Sequence, residues 1–383
     1  MGKLNNLQTL SYFIVEAHNE SDLKDLAKLN HLHGTIHIKG LGNVSDTADA
    51  APLNLKDIEE LHTEFNGGRE EMAESNLLVL EAIQPNSNLK KLNITHYKGS
   101  RFPNWLRGSH LPNLVSLQLN GCGLCSCLPP LGQLPSLKKL SVYDCEGIKI
   151  IDEDFYDNNS TIVPFKSLQF SIFENMVNWE KWICLRFPLL KELSIRNCPK
   201  LKSTLPQQLP SLQKLCINNC NKLEEWLCLG EFPLLKEISI TSCPELKRAL
   251  PQHLPSLQKL EIIDCSKMEA TIPKCDNMIE LDIQTCDRIL VNEFPTSLKR
   301  LFLCDNQYTE LSMQQNVINF PFLEELGLDW SGSVKCPSLD LRCYNSLWRL
   351  SIKGWHSSSL PLELHLFMIG TQIKRNKRNS IID

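Results

Sequence analysis

The sequence predicts an α/β solenoid with a parallel concave β-sheet and an irregular or 3₁₀ convex side. Three observations carry that expectation. The pattern Leu-x-x-Leu-x-Leu/Ile-x-x-Cys/Asn recurs along the chain. The first leucines of successive copies, from Leu89 to Leu347, stand 20 to 31 residues apart. Leucine supplies 64 of the 383 residues, against 17 glycines. Self-similarity at this period marks stacked repeats: one unit cannot bury its apolar row alone, and neighbours close a continuous core.

Residues 1–88 are the least regular part. Leu7-Leu10-Tyr12, Thr35-Ile36-His37-Ile38 and Ile58-Leu61-Thr63 read as repeat strands. Asp46–Leu55 and Glu70–Ile83 read as convex helices, the second ended by Pro85. Residues 89–360 hold the regular copies. They begin at Leu89-Leu92-Ile94, Leu114-Leu117-Leu119-Cys122 and Leu137-Leu140-Val142-Cys145. They run on through Leu190, Leu212, Leu235, Leu257, Met278, Leu298 and Leu323 to Leu347-Leu350-Ile352. A degenerate copy at Leu168 has Ser171 where leucine is expected. In each copy the last two apolar residues are two apart, so they share one strand face and their neighbours face solvent. Residues two copies long are duplicated: 187–231 and 232–276 match at 26 of 45 positions. The acidic insert Asp152–Ser160 reads as an exposed loop, and residues 361–383 as a basic tail carrying Lys374-Arg375-Asn376-Lys377-Arg378.

Composition narrows the function. A net charge of −4 removes the electrostatic case for nucleic acid as the main partner. No run of 18 apolar residues is present, so no membrane span is expected. The start of the chain has no apolar signal region, so the 16 cysteines are expected as thiols in a reducing, cytoplasmic setting. Seven of them (Cys122, Cys145, Cys198, Cys220, Cys243, Cys265 and Cys286) occupy one repeat position just after the strand. They read as structural side chains buried against backbone, and Asn306 holds the same place in its repeat. Cys122-x-x-Cys125-x-Cys127 lacks a second ligand pair at zinc-finger spacing. No metal site is therefore expected.

The solvent-facing strand positions are where a partner would bind. Just before the second apolar residue, the last eight copies show Glu192, Lys214, Glu237, Lys259, Glu280, Arg300, Glu325 and Arg349. The sign alternates at every step, which predicts a structural ladder of cross-strand ion pairs worth about 0.2–1 kcal/mol per pair. Tyr143, Phe170, Ile172, Ile263 and Phe302 fall at outward positions and are the candidate partner contacts. The other reading is that a flanking loop such as Asp152–Ser160 covers Tyr143 and Phe170. No catalytic set emerges from the ten histidines, and the paired concave carboxylates are expected to keep ordinary or depressed pKa values.

Three stretches go beyond generic repeats: His33-Gly34-Thr35-Ile36-His37-Ile38-Lys39-Gly40-Leu41-Gly42-Asn43-Val44, then Val79–Leu92 followed by Tyr97–Leu106, then Phe173–Met176 with Trp179–Trp182. Together, in this order, they resemble the leucine-rich-repeat region of plant coiled-coil nucleotide-binding disease-resistance proteins, which are intracellular immune receptors. The resemblance implies a leucine-rich-repeat horseshoe. It also implies protein partners: a pathogen effector or a guarded host protein, and the nucleotide-binding domain of the parent receptor. No Gly-x-x-x-x-Gly-Lys-Ser/Thr loop occurs, so ADP or ATP is expected only in that other domain and no cofactor in this chain. The chain accordingly resembles the repeat region alone, cut from a longer receptor. A stand-alone scaffold or decoy, or an enzyme-inhibitor protein of the repeat class, is the alternative. An enzyme is not expected. The basic tail leaves a nuclear location open beside the cytoplasmic one.

Overall fold

The computed structural model describes residues 4, 6–16, 22–44, 53, 55–67, 73–107, 110–156, 163–183, 186–202, 209–225, 232–247, 250–251, 253–273, 275–286, 288–291, 294–304, 320–329, 344 and 346–353. The chain divides into two compact units, Met1–Phe232 and Pro233–Asp383. The division falls at the start of the second copy of the internal duplication, whereas the expected divisions at 88 and 360 followed repeat regularity. Asn306, most of the expected helix Asp46–Leu55 and the basic tail lie outside the described residues.

The first unit contains strands β1 (Tyr12–Ile14), β2 (His33–Lys39), β3 (Asp57–Glu64), β4 (Lys91–Thr95), β5 (Ser116–Asn120), β6 (Lys139–Tyr143), β7 (Ile150–Ile151), β8 (Phe170–Glu174), β9 (Lys181–Trp182), β10 (Glu192–Arg196) and β11 (Lys214–Asn218). Nine of them pair in parallel in the order β1-β2-β3-β4-β5-β6-β8-β10-β11, while β7 pairs with β9. The second unit contains β12 (Glu237–Thr241), β13 (Lys259–Ile263), β14 (Ala270–Thr271), β15 (Glu280–Gln284), β16 (Ile289–Leu290), β17 (Arg300–Cys304), β18 (Glu325–Asp329) and β19 (Arg349–Lys353). Its sheet runs β12-β13-β15-β17-β18-β19, and β14 pairs with β16. Each unit is thus a parallel-sheet solenoid in which successive repeats add one strand.

The five-residue strands of the regular repeats place their second and fourth residues inward. Leu92 and Ile94 lie beside Leu117 and Leu119, and Leu260 and Ile262 beside Leu281 and Ile283, all fully buried or nearly so. Burial of each such side chain contributes roughly 1.5–3 kcal/mol. The backbone turns sharply after the strand, with positive φ at Asp144, Asn175, Asn197, Asn219, Ser242, Asp264 and Thr285. Asn and Asp tolerate this left-handed conformation better than other residues with a Cβ.

Three local readings change. Leu7-Leu10-Tyr12 is out of phase. Tyr12 pairs with His37 and is 55% exposed, while Phe13 and Val15 enter the core. The two leucines mimic the motif, but parallel pairing with β2 sets the register one residue later. The stretch Asp152–Ser160 is not simply an exposed loop. Glu153–Tyr156 forms a 3₁₀ turn that buries Phe155 and Tyr156. Their rings contact Phe165, and Trp182 donates to the Tyr156 hydroxyl at 2.7 Å. Two large aromatic side chains outweigh their acidic neighbours, and residues 157–160 lie outside the description. Finally, a short helix α1 (Asp22–Ala27) was not anticipated, whereas α2 (Ala73–Ala82) falls inside the expected Glu70–Ile83 and buries Leu77, Val79 and Leu80.

Candidate functional site

The odd positions of each strand point away from the core and build parallel rows across the sheet. In the second unit the first such row holds Glu237, Lys259, Glu280, Arg300, Glu325 and Arg349, each opposite the next. Lys259 Nζ lies 3.2 Å from Glu280. The Arg300 guanidinium bridges Glu280 at 2.8 Å and Glu325 at 3.1 Å, and Arg349 reaches the other Glu325 oxygen at 3.3 Å. The Glu325 side chain is only 10% exposed, while both arginines remain open to solvent. In the first unit Glu192 stands opposite Lys214. Further up the same row Lys91 pairs with Glu60 at 2.6 Å.

The five candidate contact residues are all half-buried on outward positions. Tyr143, Phe170 and Ile172 lie on the neighbouring strands β6 and β8, so they form one patch. The degenerate repeat keeps its register: Ser171 takes the inward place between Leu140 and Leu193, leaving Phe170 and Ile172 outside. Lys139 Nζ sits 5.6 Å over the Phe170 ring. Ile263 and Phe302 belong to the second unit, on β13 and β17, which β15 separates.

The middle row of that unit brings Glu261 opposite Asp282, and Asp282 opposite Phe302. Ser239 donates to Glu261 at 2.5 Å and Gln284 to Asp282 at 2.7 Å. Burial, with the like charge of Glu261 added, pushes the Asp282 carboxyl above its usual range, against the Gln284 hydrogen bond. This corrects the expectation that paired concave carboxylates keep ordinary or lowered values. The alternation of charge holds in the first row, but not in the middle one.

Two side-chain rows were invisible in the repeat pattern. The rings of Tyr12 and His37 stack at 4.8 Å, and those of His37 and His62 at 4.0 Å. The Asn93 amide closes the series on Nδ1 of His62 at 2.8 Å. Burial, helped by the charge of His37 and opposed by Glu60, lowers the His62 pKa. Beyond the strands, amide side chains form a second ladder: Asn175 donates to Asp144, Asn197 to Asn175 and Asn219 to Asn197, at 2.8–2.9 Å. The signal was present as Asp or Asn directly before cysteine, in Asp144-Cys145, Asn197-Cys198 and Asn219-Cys220.

The seven repeat-position thiols are fully buried. Most donate to the carbonyl two residues back, as in Cys145 to Tyr143 at 3.3 Å, Cys198 to Arg196 at 3.3 Å and Cys286 to Gln284 at 3.1 Å. A hydrogen bond with Cys243, together with burial, pushes the Cys265 thiol up to about 12, and contact with Cys265 and burial raise Cys286. Neutral, enclosed thiols of this kind are poor nucleophiles and poor ligands. Among the described residues no group of three His, Cys, Asp or Glu side chains is placed to hold a metal ion, and no helix is long and apolar enough to cross a membrane.

Residues 23–145 match a family described as R13L1/DRL21 leucine-rich repeats. A disease-resistance protein of Arabidopsis thaliana is 36% identical over 222 residues, covering 53% of this chain and 16% of the relative. The disease resistance RPP13-like protein 1 of the same plant is 35% identical, covering 51% and 20%. Disease resistance protein RGA2 of Solanum bulbocastanum is 34% identical, covering 52% and 22%. The matched region is therefore about a fifth of the length of these curated relatives. A solved leucine-rich-repeat protein of Leptospira interrogans aligns at a TM-score of 0.33 and 21% identity, over 75% of this chain and 83% of its own.

Proposed function

We propose that this chain, whose residues 23–145 match R13L1/DRL21 leucine-rich repeats and about half of which is similar to plant disease-resistance proteins, is a protein-binding module of an intracellular immune receptor. Its outward strand rows recognise a pathogen effector or a guarded host protein. Other repeats hold a nucleotide-binding switch domain in its resting state, and ADP or ATP belongs to that domain. Effector binding then shifts the population from docked to released.

The observation that carries this reading is the contrast between rows. The inward row is one repeated apolar solution, while the outward rows vary from strand to strand: imidazoles on β2 and β3, an aromatic patch on β6 and β8, carboxylates on β13 and β15. A surface that must only be soluble has no need of half-buried aromatic side chains at its centre.

The test is co-expression of the full chain with the nucleotide-binding domain of a plant coiled-coil disease-resistance protein, followed by co-precipitation. The reading expects a complex, and expects the chain to suppress immune signalling by an unrestrained switch domain. Absence of both would remove it.

A further inference from the structure

Immediately before each strand stands one more residue of the exposed edge. In the first unit this row is continuous through backbone hydrogen bonds: Val115 to Lys90, Lys138 to Val115, Gln169 to Lys138, Lys191 to Gln169 and Gln213 to Lys191, at 2.8–2.9 Å. From Lys90 to Gln213 it holds three lysines and no carboxylate, and Lys90 itself donates to Glu59, the next residue of the row. Lys90 is neutralised by Glu59 at 2.9 Å. Lys138 and Lys191 make no ion pair among the described residues, and neither does Lys139 beside them. Elsewhere several cations of these rows face carboxylates one strand away: Lys91 faces Glu60, Lys299 faces Glu324, and Arg300 lies between Glu280 and Glu325, while Lys236 stands beside Gln258 and, like Lys138, has no ion pair among the described residues. At Lys139 the neighbours are instead Ser116 and Phe170. The interruption of the ladder therefore coincides with the aromatic patch.

We propose that this interruption is a docking site for an acidic protein segment carrying an apolar side chain. Lys138, Lys139 and Lys191 receive its carboxylates, and Phe170, Ile172 and Tyr143 its apolar group. The inference rests on the protein-binding reading above and names the partner chemistry of one part of that surface. Charge complementarity supports it: an unpaired lysine held over a ring is a cation already oriented toward a surface that excludes water on one side. An open groove along the same edge is lined by Lys90, Lys138 and Ser167 but also by Asp57 and Glu59, so its Lys138 end, and not its β3 end, is the part suited to an acidic segment. Glu192, opposite Phe170, and Glu174, opposite Tyr143, set its far limits. A phosphate backbone would bring a charge at every nucleotide against these carboxylates, whereas a peptide can set its apolar residues there, so a peptide is favoured over RNA.

The full chain is titrated with a fluorescein-labelled synthetic peptide alternating glutamate with leucine and phenylalanine, and with the same peptide carrying glutamine for glutamate. The acidic peptide is expected to bind, more weakly as salt rises. Lys138→Glu with Lys139→Glu is expected to weaken it at least about tenfold, equivalent to about 1.4 kcal/mol. Phe170→Ala is expected to weaken it less, and Arg300→Glu in the second unit not at all. Lys138→Gln with Lys139→Gln serves in case the charge reversal fails to fold, and should act in the same direction. Equal binding of the glutamine peptide, wild-type binding by both lysine double variants, or tighter binding of oligouridylate would overturn the proposal. If no peptide binds while the chain still precipitates the nucleotide-binding domain, this inference fails and the broader one stands.

Discussion

Along the second unit Lys259, Glu280, Arg300, Glu325 and Arg349 form an unbroken chain of ion pairs. Along the first, the same strand position reads Lys91, Ser116, Lys139, Phe170, Glu192 and Lys214. The inward rows behind them are alike, with Leu140 and Val142 as deeply buried as Leu260 and Ile262. A repeat array thus closes its core whether or not the outward row pairs. The fold constrains one face of each strand and leaves the other free to specialise.

The largest effect tests the likeness of the inward rows. Leu140→Ala in the first unit and Leu260→Ala in the second should each cost about 2–5 kcal/mol in denaturant unfolding, because both empty a site with no exposure. Costs differing by more than about 2 kcal/mol, beyond the usual spread of such sites, would break the equivalence of the two cores.

A smaller effect separates the turns that follow the strands. Asn197 combines φ of 53° with two amide hydrogen bonds, to Asn175 and from Asn219. Asn197→Ala should lose about 1–2 kcal/mol, and Asn197→Gly should recover the backbone share. In the second unit Ser242 holds the same φ of 53°. Ser242→Gly should therefore gain roughly 0.4–1 kcal/mol in a thermal melt. A loss there would show that the turn, and not the ladder, tolerates the side chain.

Smaller again are changes to the charge row. Glu325→Lys replaces the carboxylate between Arg300 and Arg349 by a third cation, and should cost about 1 kcal/mol at low salt. The difference should shrink as ionic strength rises. The converse substitution, Ser116→Glu, places a carboxylate between Lys91 and Lys139, which flank it in register. It should add about 0.2–1 kcal/mol. Together the two variants show whether the row stabilises the sheet or only decorates it.

The repeats were legible because two residues of each motif stand two apart, so Leu140 and Val142 had to share a face once either entered the core. Parallel stacking at one strand per repeat then fixed which outward residues become neighbours, so the opposition of Arg300 and Glu325 followed from counting alone. What escaped had other causes. Leu7 and Leu10 imitate the motif and would carry Tyr12 inward, whereas pairing with β2 makes Phe13 and Val15 the core residues of this strand. The buried Phe155 and Tyr156 sit among acidic residues, where local composition says exposed and long-range aromatic packing decides otherwise. The stacked His37 and His62 belong to repeats whose motifs are irregular, so their lateral contact needed the strand register, including its shift at Gly34–Thr35.

The smallest effects come from acid, and the two units should respond with opposite sign. In the first, burial depresses the His62 pKa below its unfolded value near 6.5. The unfolded chain then binds the proton more readily, so stability contributed above that value is lost as pH falls toward the folded pKa. In the second, burial and Glu261 raise the Asp282 pKa above 3.8. There the folded state binds the proton more readily, so stability present at low pH is lost as pH rises through the folded pKa. Asp282→Asn should stabilise the chain at neutral pH and flatten its melting curve series at the acid end, while His62→Asn should flatten it between about pH 5 and 7. If His62→Asn leaves the neutral-to-acid slope intact, burial does not lower the His62 pKa, and His62 on β3 is less enclosed than Asp282 on β15.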